Sequence, residues 1–160
     1  MVTITNTRVS GIEKIPVNKN NAHVFCKVRA PIGWWYDFLA CKVGSIEDSD
    51  GLKETIEKKE FDVTDFAEEF RMVRAKDLAS TIRFLNSCRS RYLKTKDEKS
   101  LLSIFYALPM SYNRTRLLAI SYKDLDRVYN RFNKTNSKEW QEVCAWIERL
   151  PYFEASSECT

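Results

Sequence analysis

His23-Val24-Phe25-Cys26-Lys27-Val28-Arg29-Ala30-Pro31-Ile32 reads as a strand that runs straight into a helix. Ala22 to Val28 alternates with the two-residue period of a strand. Pro31 stands where a helix can begin, because its missing N–H would be unpaired in a first turn anyway. Ile32 to Val43 is rich in large apolar groups, and Gly44 suits the helix end. Upstream, Val2-Thr3-Ile4-Thr5 is a second alternating run, joined to the first through an Asn18-Lys19-Asn20-Asn21 turn.

Downstream the pattern turns helical. Short helical segments are expected around 51–59 and 64–70, with Asp62 or Thr64 as N-cap of the second. Leu78, Ile82, Leu85 and Tyr92 mark a long amphipathic helix over 76–93. A further helix over 99–108 must stop before Pro109. Arg116-Leu117-Leu118-Ala119-Ile120 is the third strand. Ser121 then caps a helix over 122–132 with Asp124 three residues on, and Asn136 with Glu139 repeats that logic before a last helix carrying Trp140, Val143, Cys144 and Ile147. The order predicts an α+β fold in which helices pack on a small, mostly antiparallel sheet. Residues 1–153 are expected to form a single α+β domain and 154–160 a frayed tail.

The 160 residues are 44% apolar, with four tryptophans, seven tyrosines and nine phenylalanines, enough for one sizeable core. No run approaches the ~20 apolar residues of a membrane span, and the N-terminus lacks the pattern of a secretory signal, so a cytoplasmic protein is expected. Five scattered cysteines and the single His23 give neither a zinc pattern nor a disulfide framework, and no metal site is expected. His23 lies inside a strand and reads as structural. The mild net charge of +4 hides segregation. Acids dominate 45–70, against only Lys53, Lys58 and Lys59, whereas 71–138 is strongly basic. Such a basic block suits phosphates or an acidic partner, or else it is a solvated face. No nucleic-acid motif of recognisable spacing occurs, so nucleic acid is not an expected partner. GxGxxG, GxxxxGK[ST], GxSxG and HExxH are all absent.

Two stretches carry a family likeness. The first is the segment from His23 to Ile32 with its continuation to Ser49, including Trp34-Trp35-Tyr36-Asp37-Phe38 and Lys42-Val43-Gly44. The second is Leu108-Pro109-Met110-Ser111-Tyr112-Asn113-Arg114-Thr115-Arg116, continuing to Trp140 and on to Leu150-Pro151-Tyr152. Together they resemble the flavin-dependent thymidylate synthases, in a degenerate variant of the kind found in phage genomes. There a strand leads through an Ala-Pro-Ile turn into a helix ending in Arg-His-Arg-x-x-Ser, and a later Leu-Pro turn precedes the next strand and an Asn-x-Arg-Ser-Leu helix.

The resemblance implies a chemistry in which FAD supplies hydride and the protein holds dUMP and polarises its uracil. It also implies that this chain has lost the groups for that work. Ala40-Cys41-Lys42-Val43-Gly44-Ser45 falls on the Arg-His-Arg-x-x-Ser motif, keeping Lys42 and Ser45 but losing the first arginine and the histidine. Ile46-Glu47-Asp48-Ser49-Asp50 replaces the serine-rich nucleotide grip with carboxylates that repel phosphate. Ser121 takes the place of a flavin-contacting asparagine, Lys123 that of an arginine and Arg127 that of a second asparagine. Phe132 falls where the pyrimidine-polarising arginine belongs, with Arg131 one position early, about 100° around the helix.

The expected function is therefore that of a non-catalytic descendant of the synthase fold, without cofactor. It would bind a nucleotide-like phosphorylated ligand or an acidic protein surface, as a viral accessory or host-defence-blocking protein. The alternative is a working FAD-dependent enzyme methylating dUMP. The expected anion site is Arg114, Arg116, Lys123, Arg127 and Arg131, with Lys42, Ser45 and Ser121 as remnants of the cofactor motif. A homo-oligomer is expected, both from the family's assembly and because the Trp-rich helix would expose an apolar patch alone.

Overall fold

The computed structural model describes residues 1–13, 16–49 and 51–156. Four strands form one sheet in the order β1-β2-β4-β3: β1 (Thr3–Ser10), β2 (His23–Pro31), β3 (Ser45–Asp48) and β4 (Asn113–Ser121). β1 pairs antiparallel with β2, and β3 with β4. The Tyr122 N–H, just past β4, donates to the Ala22 carbonyl, just before β2, as antiparallel neighbours require. Seven helices accompany the sheet among the described residues: α1 (Ile32–Ala40), α2 (Leu52–Lys58), α3 (Glu68–Val73), α4 (Ala75–Thr95), α5 (Glu98–Ala107), α6 (Tyr122–Phe132) and α7 (Lys138–Glu148). The α+β class and the small antiparallel sheet match the sequence expectation.

The chain divides into two compact units. The first comprises 1–29, 34–49 and 115–160, and holds most of the sheet with α6, α7 and most of α1. Along β2, Val24, Cys26, Val28 and Ala30 are buried while Phe25 and Arg29 are exposed, and on β4 Leu118 and Ile120 are buried while Leu117 is exposed. One face of the sheet is therefore core. Trp34 and Trp35 are 4% and 2% exposed. Both tryptophans of this helix thus pack within the chain, while Tyr36 and Leu39 on the same helix are exposed. At the C-terminal end, Ser156 donates its backbone N–H to Asp126 Oδ1 at 2.8 Å, and Lys19 Nζ reaches Asp126 Oδ2 at 3.3 Å. Burial works against the charge of Asp126, but these donors outweigh it and hold its pKa below the usual carboxylate range.

The second unit comprises 30–33 and 50–114. Leu78, Leu85 and Tyr92, seven residues apart along α4, pack with Ile56, Phe61, Phe66, Leu101, Ile104 and Tyr112. Arg89 of α4 closes the end of α2, its Nε donating to the Ile56 carbonyl at 2.6 Å. Asn86 pairs with both backbone groups of Phe61, accepting at 2.8 Å and donating at 2.9 Å. The start of α1 has no side-chain cap. Its Ile32 and Gly33 N–H groups instead donate to the Tyr112 and Met110 carbonyls, both at 2.9 Å, in the turn that follows Leu108-Pro109.

Several boundaries differ from the sequence reading. α1 ends at Ala40 rather than Val43, and Lys42 takes the left-handed conformation (φ 52°) expected of a glycine after a helix. Gly44 (φ 65°) serves the next turn instead. The segment over 64–70 splits into a 3-10 turn (Val63–Asp65) and α3, with Asp62 and Asp65 forming a reciprocal capping box. α7 is capped by Ser137, whose hydroxyl accepts from Trp140 N, not by Asn136. β3 lies where the sequence shows only an acidic run. It is an edge strand, paired on one side, and so tolerates the charges that mask its alternation.

Two stability outcomes follow from this framework. A Cβ on Gly44 would stand 2.9 Å from the Ala119 carbonyl oxygen, whereas one on Gly51 meets nothing closer than 3.8 Å. Gly44→Ala should cost about 1–3 kcal/mol, while Gly51→Ala should leave thermal unfolding nearly unchanged. The Asp62 carboxylate, held first by the Thr64 hydroxyl, is lowered to about 2. A depressed pKa contributes stability fully above the unfolded value of ~3.9 and loses it as pH falls towards 2. Asp62→Asn should therefore flatten the stability loss of the protein over that window in acid titration followed by circular dichroism.

Candidate functional site

The turn after α1 is built by the chain's own backbone. Cys41 and Lys42 N–H groups donate to the Phe38 and Leu39 carbonyls, both at 3.0 Å, and Gly44 swings the chain into β3. α6 starts where the Ser121 hydroxyl accepts the Asp124 N–H at 3.1 Å, and the Lys123 N–H donates to the Lys19 carbonyl at 3.1 Å. Arg127 and Arg131 follow one turn apart on α6. Both act on Cys41: burial pushes its thiol up, while the Arg131 and then the Arg127 guanidinium pull it down. The Asp37 carboxylate pushes it up as well, so the end of α1 and one edge of α6 bring two guanidiniums and one carboxylate to bear on Cys41. Arg127 reaches Asp124 at 3.3 Å. Arg131 lies 5.4 Å from the Phe132 ring centre, and no ion pair of its own occurs among the described residues.

The remaining expected site residues fall elsewhere. Arg114 and Arg116 stand near the start of β4, and the seven residue steps from Arg114 to Ser121 span about 23 Å. Arg116 Nε donates to Asp48 Oδ1 at 2.9 Å across the β3–β4 pair, and its guanidinium lies 5.2 Å from the Trp35 ring centre. Asp48 is thereby neutralised inside the sheet. Asp50 lies outside the described residues. Ser45, opposite Ala119, is on the exposed side of the sheet, while Arg116 shares the side of Leu118 and Ile120. The structure therefore gathers Arg127 and Arg131 at the Cys41 turn, places Lys42 next in chain and Lys123 a turn earlier on α6, and sets Arg114, Arg116 and Ser45 apart from them.

Phe132 has a definite packing role. Its ring stacks on Trp140 at 3.6 Å with 4° between planes, Trp140 meets Trp34 at 4.8 Å, and Trp34 stacks on Phe38 at 5.3 Å. This aromatic column joins α6, α7 and α1. The positions that the resemblance sets on the family's motifs carry other groups here. Phe132 is a stacked ring, Cys41 a thiol, and the Ser121 hydroxyl accepts the Asp124 N–H as a helix cap.

Other reactive groups are quiet. Burial pushes the Cys26 thiol up to about 12, and burial aided by Glu148 pushes Cys144 up to about 11. His23 Nδ1 lies 2.9 Å from the Asn21 carbonyl in a local turn. Among the described residues no group of three or more His, Cys, Asp or Glu is arranged to hold a metal ion, and no helix is long and apolar enough to cross a membrane. The convergence of Arg127 and Arg131 on Cys41 is the feature that sequence reading missed. It joins residues that only the folded chain makes neighbours.

No protein-family model matches this chain, and no curated protein matches it. Solved structures do. Thymidylate synthase X from Helicobacter pylori, determined with FAD and dUMP, is 17% identical with a TM-score of 0.59, over 83% of this chain and 72% of that one. A second complex of the same enzyme with FAD and dUMP gives 16% and 0.59 over the same shares. The UMP/dUMP methylase PolB from Streptomyces cacaoi, bound with 5-Br UMP, is 12% identical with a TM-score of 0.56, over 92% of this chain and 88% of that one. At such identities the likeness speaks for the fold, and the fold of this chain is that of the flavin-dependent thymidylate synthases.

Proposed function

We propose that this protein is a non-catalytic relative of the thymidylate synthase fold that binds a pyrimidine-nucleotide-like phosphorylated ligand at the corner between α1 and α6. The observation that carries the reading is the convergence of Arg127 and Arg131 on Cys41, within the segment that resembles the family's cofactor motif. Two guanidiniums a turn apart match a phosphate in charge and in hydrogen-bond geometry. Lys42 and Lys123 extend the same positive field. Neighbours of the same fold were solved with dUMP or 5-Br UMP, which supports a nucleotide as the class of ligand.

Catalysis needs groups that stabilise developing charge on the ring, and losing several together removes many orders of magnitude of rate. Phe132 occupies that position as a packing group, and Arg131 lies over the Phe132 ring. The protein therefore holds its ligand without transforming it and needs no flavin. An acidic protein surface, as in a host-blocking role, is the second reading, and it would use the same exposed cations.

Isothermal titration with dUMP and UMP tests the ligand. Binding in the micromolar range is expected, weakened at least about 10-fold by Arg127→Ala and by Arg131→Ala, with thermal stability held or raised because like charges are removed. Unchanged affinity in both variants would end this reading. A colourless purified protein, and no growth of a thymidine-requiring bacterium expressing it, are the outcomes expected of the missing chemistry; yellow protein or growth would revive the enzyme. Phe132→Arg should fail to restore synthesis and should cost about 2 kcal/mol, seen as a red shift of tryptophan emission at lower denaturant, because it breaks the stack on Trp140.

A further inference from the structure

The sheet of the first unit has one face that its own helices leave open. Arg116, on the core side of β4, lies over Trp35, so α1 occupies that side. On the other side Phe25 and Leu117 are 47% and 44% exposed. With Ala119 they floor a hollow of about 640 Å³ lined by strand residues alone, a size that suits a small molecule. A bulge in β1 shapes its rim. Thr5 stands opposite Lys27, but Arg8 rather than Thr7 stands opposite Phe25, so β1 holds one extra residue. Asn6 absorbs it in the left-handed conformation (φ 54°). In a regular strand Arg8 would fall on the core side with Ile4, and the bulge sets it on the open face with Lys27. Across the sheet, Glu47 on β3 stands opposite Leu117. Arg8, Lys27 and Glu47 all line the hollow, and among the described residues none of the three side chains is in an ion pair or hydrogen bond.

We propose that this open face binds a guanine mononucleotide, with its phosphate at Arg8 and Lys27 and the edge of its base at Glu47. Four strands at about 4.8 Å spacing and five residues at about 3.3 Å make a floor of roughly 19 by 17 Å. That is well short of a specific protein–protein contact and right for one small molecule. The charges on the rim say which. Two cations on the β1 side match a phosphate dianion. Glu47, ionised, only accepts hydrogen bonds, and it does so through two oxygens, so the far end of the ligand must donate. β1 and β3 are three strand spacings apart, about 14 Å, and side chains that lean inward leave a gap one nucleotide can cross. Between them the flat floor, with its exposed Phe25 ring, takes a flat ring system. Guanine has two adjacent donors on one edge, N1–H and the 2-amino group, and so meets both carboxylate oxygens. Adenine and cytosine set their amino group beside an acceptor nitrogen that a carboxylate repels, and uracil has one N–H between two carbonyls. Cys41, Arg127 and Arg131 belong to the α1 side of the sheet, so this site is separate from the pyrimidine-nucleotide site proposed there.

Isothermal titration of the full chain with guanosine 5′-monophosphate tests the proposal. One molecule bound per chain in the micromolar range is expected. Inosine 5′-monophosphate, which lacks only the 2-amino group, and guanosine, which lacks the phosphate, should each bind at least about 10-fold more weakly. Inorganic phosphate should not displace the nucleotide. Glu47→Gln should erase the difference between the guanine and inosine nucleotides, because an amide offers one acceptor oxygen in place of two. Arg8→Ala and Lys27→Ala should each weaken the guanine nucleotide about 10-fold and leave guanosine unchanged. Arg127→Ala should change none of these affinities. The wild-type series needs no variant: absence of binding, or equal affinity for the guanine and inosine nucleotides, overturns the proposal. Binding that survives Arg8→Ala combined with Lys27→Ala in a cooperatively melting protein overturns it too. Loss of binding on Arg127→Ala would hand the nucleotide to the α1–α6 corner and overturn it equally.

Discussion

The stack of Phe132 on Trp140 is the contact on which the first unit depends. At 3.6 Å and 4° it is the closest of four rings that run through Trp140 and Trp34 to Phe38. One column thereby ties three helices together, and it does so on the core side of the sheet, where Arg116 lies over Trp35. The sheet residues Val24, Val28, Leu118 and Ile120 bury their side chains on that same side. Aromatic rings of this size gain both from leaving water and from specific ring geometry, so few other substitutions at these positions preserve the arrangement.

The same column fixes what position 132 can hold. An arginine at position 132 would need an anionic partner or solvent where this chain has a ring against a ring. With Phe132 the helix packs ring against ring. Arg116, near the start of β4, bonds Asp48 and covers Trp35. Its charge now holds β3 to β4. Of the basic residues that the sequence sets together, Arg116 bonds Asp48, and Lys123, Arg127 and Arg131 on α6 are exposed.

Polar satisfaction organises the second unit. Arg89 closes α2, Asn86 pairs with Phe61, and the first N–H groups of α1 are met by carbonyls after Leu108-Pro109. Each device answers the same requirement, that a buried backbone group must find a partner. In the first unit the open sheet face makes the opposite choice, leaving Phe25 and Leu117 to water or to another molecule.

Much of this was legible in the chain itself. Alternation over 22–28 and 116–120 marks β2 and β4, the heptad spacing of Leu78, Leu85 and Tyr92 marks α4, and Ser121 with Asp124 fixes the start of α6 at the residue observed. These signals are local, set by pleat, helical period and capping, and so sequence carries them. β3 was hidden because an edge strand of four residues has too few alternations, and its acids obscure them. The cap of α7 moved by one residue because Asn136 and Ser137 can both cap, and only the fold selects between them. The fate of the basic block was beyond sequence altogether. Whether Arg116 bonds Asp48, or Arg127 and Arg131 stand beside Cys41, depends on which elements pack together, since a charge acts over ångströms in space and not over positions in the chain.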